Sequence, residues 1–198
     1  MTNNKNHIHL LAECAIMVAL AAVLSMLKVW QSPYGGSVTV LSMAPIILLS
    51  LRHGVKTGLL AGFAYALIQL LQGLGNLAWI PTPMGIFLGA MLDYILPFTL
   101  LGLGGIFRKK LAEKPILAAA LGALLVTAIR YVCHTVAGVV VWYELDLVWY
   151  ADDPTHIVNL YGPWMFSIIY SAIYMVPEII ATTCGTSLLH QALRRVKV

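Results

Sequence analysis

Charged residues are scarce in this chain, and long stretches lack them altogether. Lys, Arg, Asp and Glu make up 10% of the 198 residues, against about a quarter in an ordinary soluble domain. The three cysteines, Cys14, Cys133 and Cys184, have no metal-ligand spacing, so they are expected to be small packed side chains, and no metal site is predicted. No Walker-type phosphate loop is present, so the chain is not expected to hydrolyse ATP itself.

Long apolar runs fill the space between the few charges, and hydrophobic residues make up 60% of the chain. A helix crossing the hydrocarbon core of a bilayer needs roughly 20 mostly apolar residues. The pattern predicts an all-α integral membrane protein, a single membrane domain over residues 1–198 with a bundle of six transmembrane helices. The predicted spans are about 9–28, 38–52, 57–75, 85–107, 116–142 and 163–190. The second is short, and its flanks would have to complete it.

The basic residues indicate the orientation of the bundle. Ten of the twelve Lys and Arg residues fall at the two ends of the chain and in alternate gaps between spans, so both termini are predicted to be cytoplasmic. These residues are expected to contact inner-leaflet lipid, and no nucleic-acid partner is expected. The Gln31–Ser37 segment is predicted to be an irregular loop. The acidic and aromatic Trp142–Pro163 segment is predicted to be the longest outer loop, long enough to cover a site.

Five ionisable residues within the predicted spans are candidates for a role there, since an Asp or Arg at mid-helix costs roughly 2.5–3.5 kcal/mol. Glu13 is near a helix end and is expected to reach the cytoplasmic interface. Glu178 either pairs with Arg130 or contacts a ligand. Asp93 either neutralises Arg130 or accepts hydrogen bonds from a cationic or amino-substituted ring. The fifth is His134, and the sequence alone leaves these alternatives open.

One stripe on the fifth predicted helix combines several polar and aromatic groups. Arg130, His134, Gly138 and Trp142 are each four residues apart, so they form one slowly turning face, with about 12 Å of rise from His134 to Trp142. This spacing suits a small two-ring ligand, with a hydrogen-bonding ring, a gap and a stacking surface in order. A packed core His, a close-packing Gly and an interfacial Trp explain the same residues without a ligand.

The chain resembles the thiamine-binding S components of energy-coupling factor (ECF) transporters over nearly its whole length. The resemblance rests on an ordered set of short motifs: Glu13–Ala19, Gly35–Val38, Met43–Ile46, Arg52–Gly58, Leu92–Tyr94, Gly102–Phe107, Arg130–Gly138 and Tyr174–Pro177. Such proteins are six-helix bundles that bind a vitamin near the outer face. They work with a shared transmembrane scaffold subunit and two ATPase subunits, so the resemblance implies these partners here.

The resemblance also implies which residues bind. The implied binding residues are Asp93, Tyr94, His134, Gly138, Trp142, Phe166, Tyr170 and Ser171. Ala15 and Ala19 match the family's docking motif for the scaffold, although without the resemblance their helical spacing is better explained by internal packing. Phe166 and Ser171 stand where the family has Tyr and Asn, on the side expected to read the pyrimidine. The ligand is therefore expected to be thiamine, with a related vitamin or precursor as the alternative.

These observations predict a transporter subunit, located in the bacterial cell membrane, that captures a thiamine-like molecule from outside and changes no covalent bond. No cofactor is expected. An intramembrane enzyme using Asp93, His134 and Glu178 is the rival from another class, and it is disfavoured because no nucleophile, base and orienting group occur together. A pure scaffold or assembly subunit is the second rival. Reversible binding of an unmodified vitamin separates capture from catalysis.

Overall fold

The computed structural model describes residues 2–32 and 36–195, with side chains from His7 onward. The described chain is mostly helical, as predicted for an all-α membrane protein. In chain order the helices are α1 (Thr2–Met26), α2 (Ala44–His53), α3 (Val55–Gln72), α4 (Leu74–Leu77), α5 (Pro83–Gly105), α6 (Pro115–Trp149), α7 (Ile157–Leu160) and α8 (Pro163–Arg195). Among the described residues, five helices are long and apolar enough to cross a membrane: α1, α3, α5, α6 and α8.

The second predicted span differs from a simple helix. Its helical part, α2, has ten residues, which rise about 15 Å, half of the hydrocarbon thickness. The residues before it form a small antiparallel hairpin of β1 (Lys28–Gln31) and β2 (Ser37–Thr39), which the all-α prediction missed. β-Branched and aromatic residues such as Trp30 and Val38 favour strands. Residues 33–35 of the predicted Gln31–Ser37 loop lie outside the described part.

The fifth predicted helix is longer than expected. It was predicted to end at Trp142, but α6 continues to Trp149, because Leu145 and Val148 keep apolar residues at helical spacing. The connection that was predicted to be the outer loop is therefore shorter than predicted, and it contains the short helix α7. In this connection Thr155 donates a side-chain and a backbone hydrogen bond to Asp153, which lowers the pKa of that carboxyl.

Small residues bring the helices of the bundle into close contact. A Cβ at Gly102 would overlap the backbone of α3 at Leu59, and a Cβ at Gly122 would overlap the carbonyl oxygen of Gly104. Such approaches are typical of membrane helices, which associate by packing rather than by hydrophobic exclusion. Large buried apolar side chains of α2, α5 and α6 fill the space between these contacts: Ile46, Ile47, Leu49, Leu101 and Val126.

Two short connections carry basic residues at one end of the bundle. Glu13 of α1 accepts hydrogen bonds from Arg52 at 2.9 Å and pairs with His53 at 2.9 Å. Arg108, in the turn after α5, donates to the backbone oxygen of Arg52 at 3.0 Å. Glu13 therefore lies among the basic groups of this end, and it does not line the cavity described below.

Candidate functional site

A cavity of about 170 Å³ lies at the opposite end, where α1, α3 and α6 end and α8 begins. The structure brings all eight of the predicted binding residues into its lining: Asp93, Tyr94, His134, Gly138, Trp142, Phe166, Tyr170 and Ser171. They come from α5, α6 and α8, so residues far apart along the chain are brought together by the packing of these helices. Their role in ligand binding stays a prediction.

Asp93 is at the centre of a hydrogen-bond network. It lies in a π-helical turn of α5, Ala90–Ile95, and such turns are frequent at functional sites. The Nε1–H of Trp142 donates to Oδ2 at 2.8 Å, and Nδ1 of His134 is 2.8 Å from Oδ1. Each carboxylate oxygen therefore has one protein partner and retains lone pairs for a ligand.

Arg130 sets the protonation of His134. Its Nε–H donates to Nε2 of His134 at 3.1 Å, and a guanidinium can only donate. Nε2 must then carry the lone pair, so the proton is on Nδ1 and is donated to Asp93. His134 is a neutral imidazole that connects a cation to an anion. Asp93 therefore does not pair directly with Arg130, because His134 lies between them.

Arg130 has its own anion on the far side. Its Nη1 is 3.9 Å from Oε1 of Glu178, and its guanidinium lies 4.7 Å from the ring centre of Phe98. Glu178 is 1% exposed and does not line the cavity. It accepts hydrogen bonds from the backbone N–H and the hydroxyl of Thr39, each at 2.8 Å. Glu178 is therefore a structural partner, and it connects α8 to β2.

The stripe on α6 faces the cavity along its whole length. A second π-helical turn, Gly138–Trp142, ends in the predicted stacking residue, and both π-turns contribute to the same network. The space beside Gly138 is not the open gap expected from the sequence. A Cβ there would lie 2.6 Å from the Oγ of Ser167, so this glycine lets α6 and α8 approach each other beside the cavity.

Tyr94 is held against the end of α3. Its hydroxyl accepts from Asn76 Nδ2 at 3.3 Å and donates to the carbonyl oxygen of Gly73 at 3.4 Å. A Cβ at Gly73 would overlap the Tyr94 ring, so the absence of a side chain at this position permits the observed ring placement. Tyr94 thereby closes the α3 side of the cavity.

Aromatic rings of α8 form the opposite wall. Phe166 and Tyr170 are stacked with centres 5.8 Å apart, and Tyr174 lies edge-on to both Tyr170 and His134 at 6.1 and 5.8 Å. The Tyr170 hydroxyl is 3.0 Å from the Ser32 hydroxyl, which follows β1. Ser171 adds a buried hydroxyl to this wall. The hairpin and α8 thus enclose the cavity together.

Several lining residues were not singled out from the sequence. Gln69 and Gln72 extend from the last turns of α3, and Asn76 extends from α4. Polar amides in this apolar region were a usable signal. Asp146 lies four residues beyond Trp142, so it continues the stripe; it was assigned to a loop. Thr39 could not have been found, because its position depends on the hairpin.

The proposed docking residues are on the outer surface of the molecule. Ala15 and Ala19 of α1 are exposed, whereas Cys14, Val18 and Ala22 of the same helix pack against the core. Internal packing therefore does not explain the two exposed alanines.

Comparisons with known proteins identify the family of the chain. The model of the thiamine transporter protein family (Thia_YuaJ) matches residues 11–198. The chain is 32% identical over 190 residues to the thiamine transporter ThiT of Bacillus subtilis (strain 168), which covers 90% of this chain and 88% of that protein. It is 28% identical over 170 residues to ThiT of Lacticaseibacillus paracasei, covering 79% and 74%. The solved structure of ThiT from Listeria monocytogenes superposes with a TM-score of 0.71 at 26% identity, covering 96% of this chain and 97% of that one.

Proposed function

Because the chain belongs to the thiamine transporter protein family, we propose that the cavity around Asp93 captures thiamine for an ECF importer. The family makes the chain a thiamine-binding transporter subunit, which is a multi-pass bacterial membrane protein and not an enzyme. The proposal adds the site, the orientation and the partners. The observation that carries it is the Asp93 carboxylate, held between His134 and Trp142 in the wall of the cavity.

Each group has a role that fits thiamine, which joins an aminopyrimidine to a cationic thiazolium. Asp93 would accept a hydrogen bond from the ligand's amino group, and Trp142 would stack on a ring, with added cation–π attraction if that ring is the thiazolium. His134 and Tyr94 would fix the ring positions. Phe166 offers a ring face but no hydroxyl, and Ser171 offers one short hydroxyl. These two residues therefore offer fewer hydrogen-bonding groups than the Tyr and Asn of the family, and a related compound is the alternative ligand.

Titration of the purified chain in detergent tests the ligand. We expect thiamine to quench tryptophan fluorescence. Asp93→Asn offers one carbonyl oxygen to two donors, so it should weaken binding by about 2–5 kcal/mol, as for truncation of a buried charge partner. Asp152→Asn removes the same charge from the exposed connection and should leave affinity unchanged. If thiamine, its phosphates and its pyrimidine precursor all fail to bind the folded parent, the proposed ligand is wrong.

We propose six membrane crossings in one domain with both termini in the cytoplasm. The basic residues of the α2–α3 and α5–α6 connections support this orientation, and the hairpin with α2 would complete the short crossing. In a background without the three native cysteines, Asp152→Cys should react with an impermeant thiol reagent added outside, and Lys110→Cys should not. The reverse labelling pattern would contradict the orientation.

The exposed alanines of α1 support docking to a transmembrane scaffold subunit that is driven by two ATPase subunits. A small-residue face lets a partner helix approach closely, and this chain has no phosphate loop of its own. Ala15→Trp should block assembly or uptake while thiamine binding by the isolated chain persists. Leu60→Trp places the same bulk on α3, where Leu60 is 74% exposed, and should assemble normally. Equal assembly of both variants would refute the α1 contact.

A further inference from the structure

The cavity contains a second carboxylate, Asp146, whose hydrogen bonding differs from that of Asp93. Asp146 lines the cavity and is 3% exposed. Asp93 accepts a hydrogen bond on each oxygen. Among the residues that the structure describes, none donates a hydrogen bond to the Asp146 carboxylate and none forms a salt bridge with it. Burial of an unpaired carboxylate is costly, so a partner of opposite charge would be strongly favoured there.

The cations near the cavity are engaged elsewhere. Arg130 contacts Glu178, Phe98 and His134. Lys28, on the exposed strand β1, also lines the cavity, but its Nζ donates to the Gln31 amide at 3.3 Å and forms no salt bridge with Asp146. Within the described chain, no group of three or more His, Cys, Asp or Glu side chains is placed to hold a metal ion. The chemistry of the site therefore favours an organic cation, supplied by the ligand.

The position of Asp146 relative to Trp142 defines where that cation would lie. The two residues are four apart on α6, across the junction between the Gly138–Trp142 π-turn and the helical residues Tyr143–Trp149. One such step corresponds to about 6 Å of rise, so a ring stacked on Trp142 would be beside the Asp146 carboxylate. Asp93 is also next to Trp142, but each of its oxygens already has a protein partner, Trp142 or His134, whereas Asp146 has none among the described residues.

We propose that Asp146 is the counter-ion for the cationic ring of the ligand, while Asp93 reads the hydrogen-bonding ring. This inference rests on the proposed thiamine site and adds a division of labour between the two carboxylates. The site would then select for a permanent positive charge as well as for the shape of the two rings. A neutral ligand of the same shape would leave Asp146 unpaired, so it would bind less well than its cationic counterpart.

A comparison of two ligands tests the assignment. Thiamine is titrated by calorimetry against its neutral isostere, in which carbon replaces the thiazolium nitrogen to give a thiophene ring. The parent should prefer thiamine. Asp146→Asn should weaken thiamine by about 30-fold or more, as expected when one partner of a buried charge pair is removed, and should change the affinity of the isostere little. Glu144→Gln makes the same charge change on the exposed side of this turn and should preserve the preference.

The outcomes are distinguishable. A parent that binds neither compound overturns the proposed thiamine site and this inference with it. A parent that binds thiamine, with an Asp146→Asn variant that keeps the same preference over the isostere, overturns only the role of Asp146. Equal loss of both ligands also overturns it, since that result indicates a positional role. The ligand-free variant should melt no lower than the parent, because it loses an unpaired buried charge; a lower melting temperature would show that the carboxylate has a protein partner.

Discussion

Glu178 provides the sharpest stability prediction, because it connects three parts of the fold. Its carboxylate accepts two hydrogen bonds from Thr39 of β2 and is 3.9 Å from the Arg130 guanidinium of α6. It lies directly after Pro177, inside a helix that forms one wall of the cavity. Glu178→Gln keeps the size of the side chain but removes its charge and one acceptor oxygen. The variant should therefore loosen the hairpin from α8.

The magnitude follows from the lost contacts. A hydrogen bond to a charged group contributes about 1.5–3 kcal/mol, and Gln can still accept one of the two bonds from Thr39. Arg130 loses its nearest anion, and breaking a buried pair by removing one partner typically costs about 3–5 kcal/mol. The 3.9 Å separation is long, so we expect the free energy of unfolding to fall by about 3 kcal/mol, near the lower end of that range.

Equilibrium unfolding in mixed detergent micelles measures this change, and a double-mutant cycle isolates the contact. Thr39→Val removes the hydroxyl bond and keeps the backbone bond, so it should cost about 1–2 kcal/mol. The double variant should be more stable than the sum of the single effects implies. Additivity within about 0.5 kcal/mol, the usual result for independent sites, would refute the Glu178–Thr39 connection. A second readout is ligand dissociation, which should be faster in Glu178→Gln.

Two glycine substitutions test the packing around the site and in the bundle. In a fluorescence titration, Gly73→Ala should displace the Tyr94 ring and weaken thiamine binding by about tenfold, equivalent to about 1.4 kcal/mol. Gly75→Ala, where a Cβ would meet open space, should have no effect. Equal affinities of the two variants would contradict this account of Tyr94. Gly122→Ala should force α6 away from the Gly104 carbonyl and lower the free energy of unfolding by about 1–3 kcal/mol, the usual cost of overpacking; an unchanged unfolding midpoint would show that the helices separate easily.

The residue types of the site were predictable from the sequence, but their connections were not. A charge within an apolar run is expensive wherever its partner lies, so Asp93, Arg130 and Glu178 could be identified as residues that need a reason. Which acid pairs with Arg130 depends on distances between helices. The sequence left Arg130 available to either acid, and the structure assigns it to Glu178, with His134 between Arg130 and Asp93.

The hairpin was missed for a different physical reason. Its strands are three and four residues long, too short for an alternating pattern to be distinguished from the apolar flank of a helix. Pairing between the two strands, and the bonds from Thr39 to Glu178, give this segment its structure. The strand pairing is local, but the bonds to Glu178 join residues 139 positions apart, so no local pattern could indicate them.

The end of α6 shows how a local rule can conceal a residue that lines the cavity. Glu144 and Asp146 were taken as the start of an outer loop, because acids after an apolar run are typical of a water-facing connection. Leu145 and Val148 nevertheless continue the helical spacing, and the helix reaches Trp149. Extending the four-residue stripe by one step past Trp142 gives Asp146, which the structure places in the cavity lining. An acid beyond an apolar run therefore marks a helix end only when the apolar spacing also stops there.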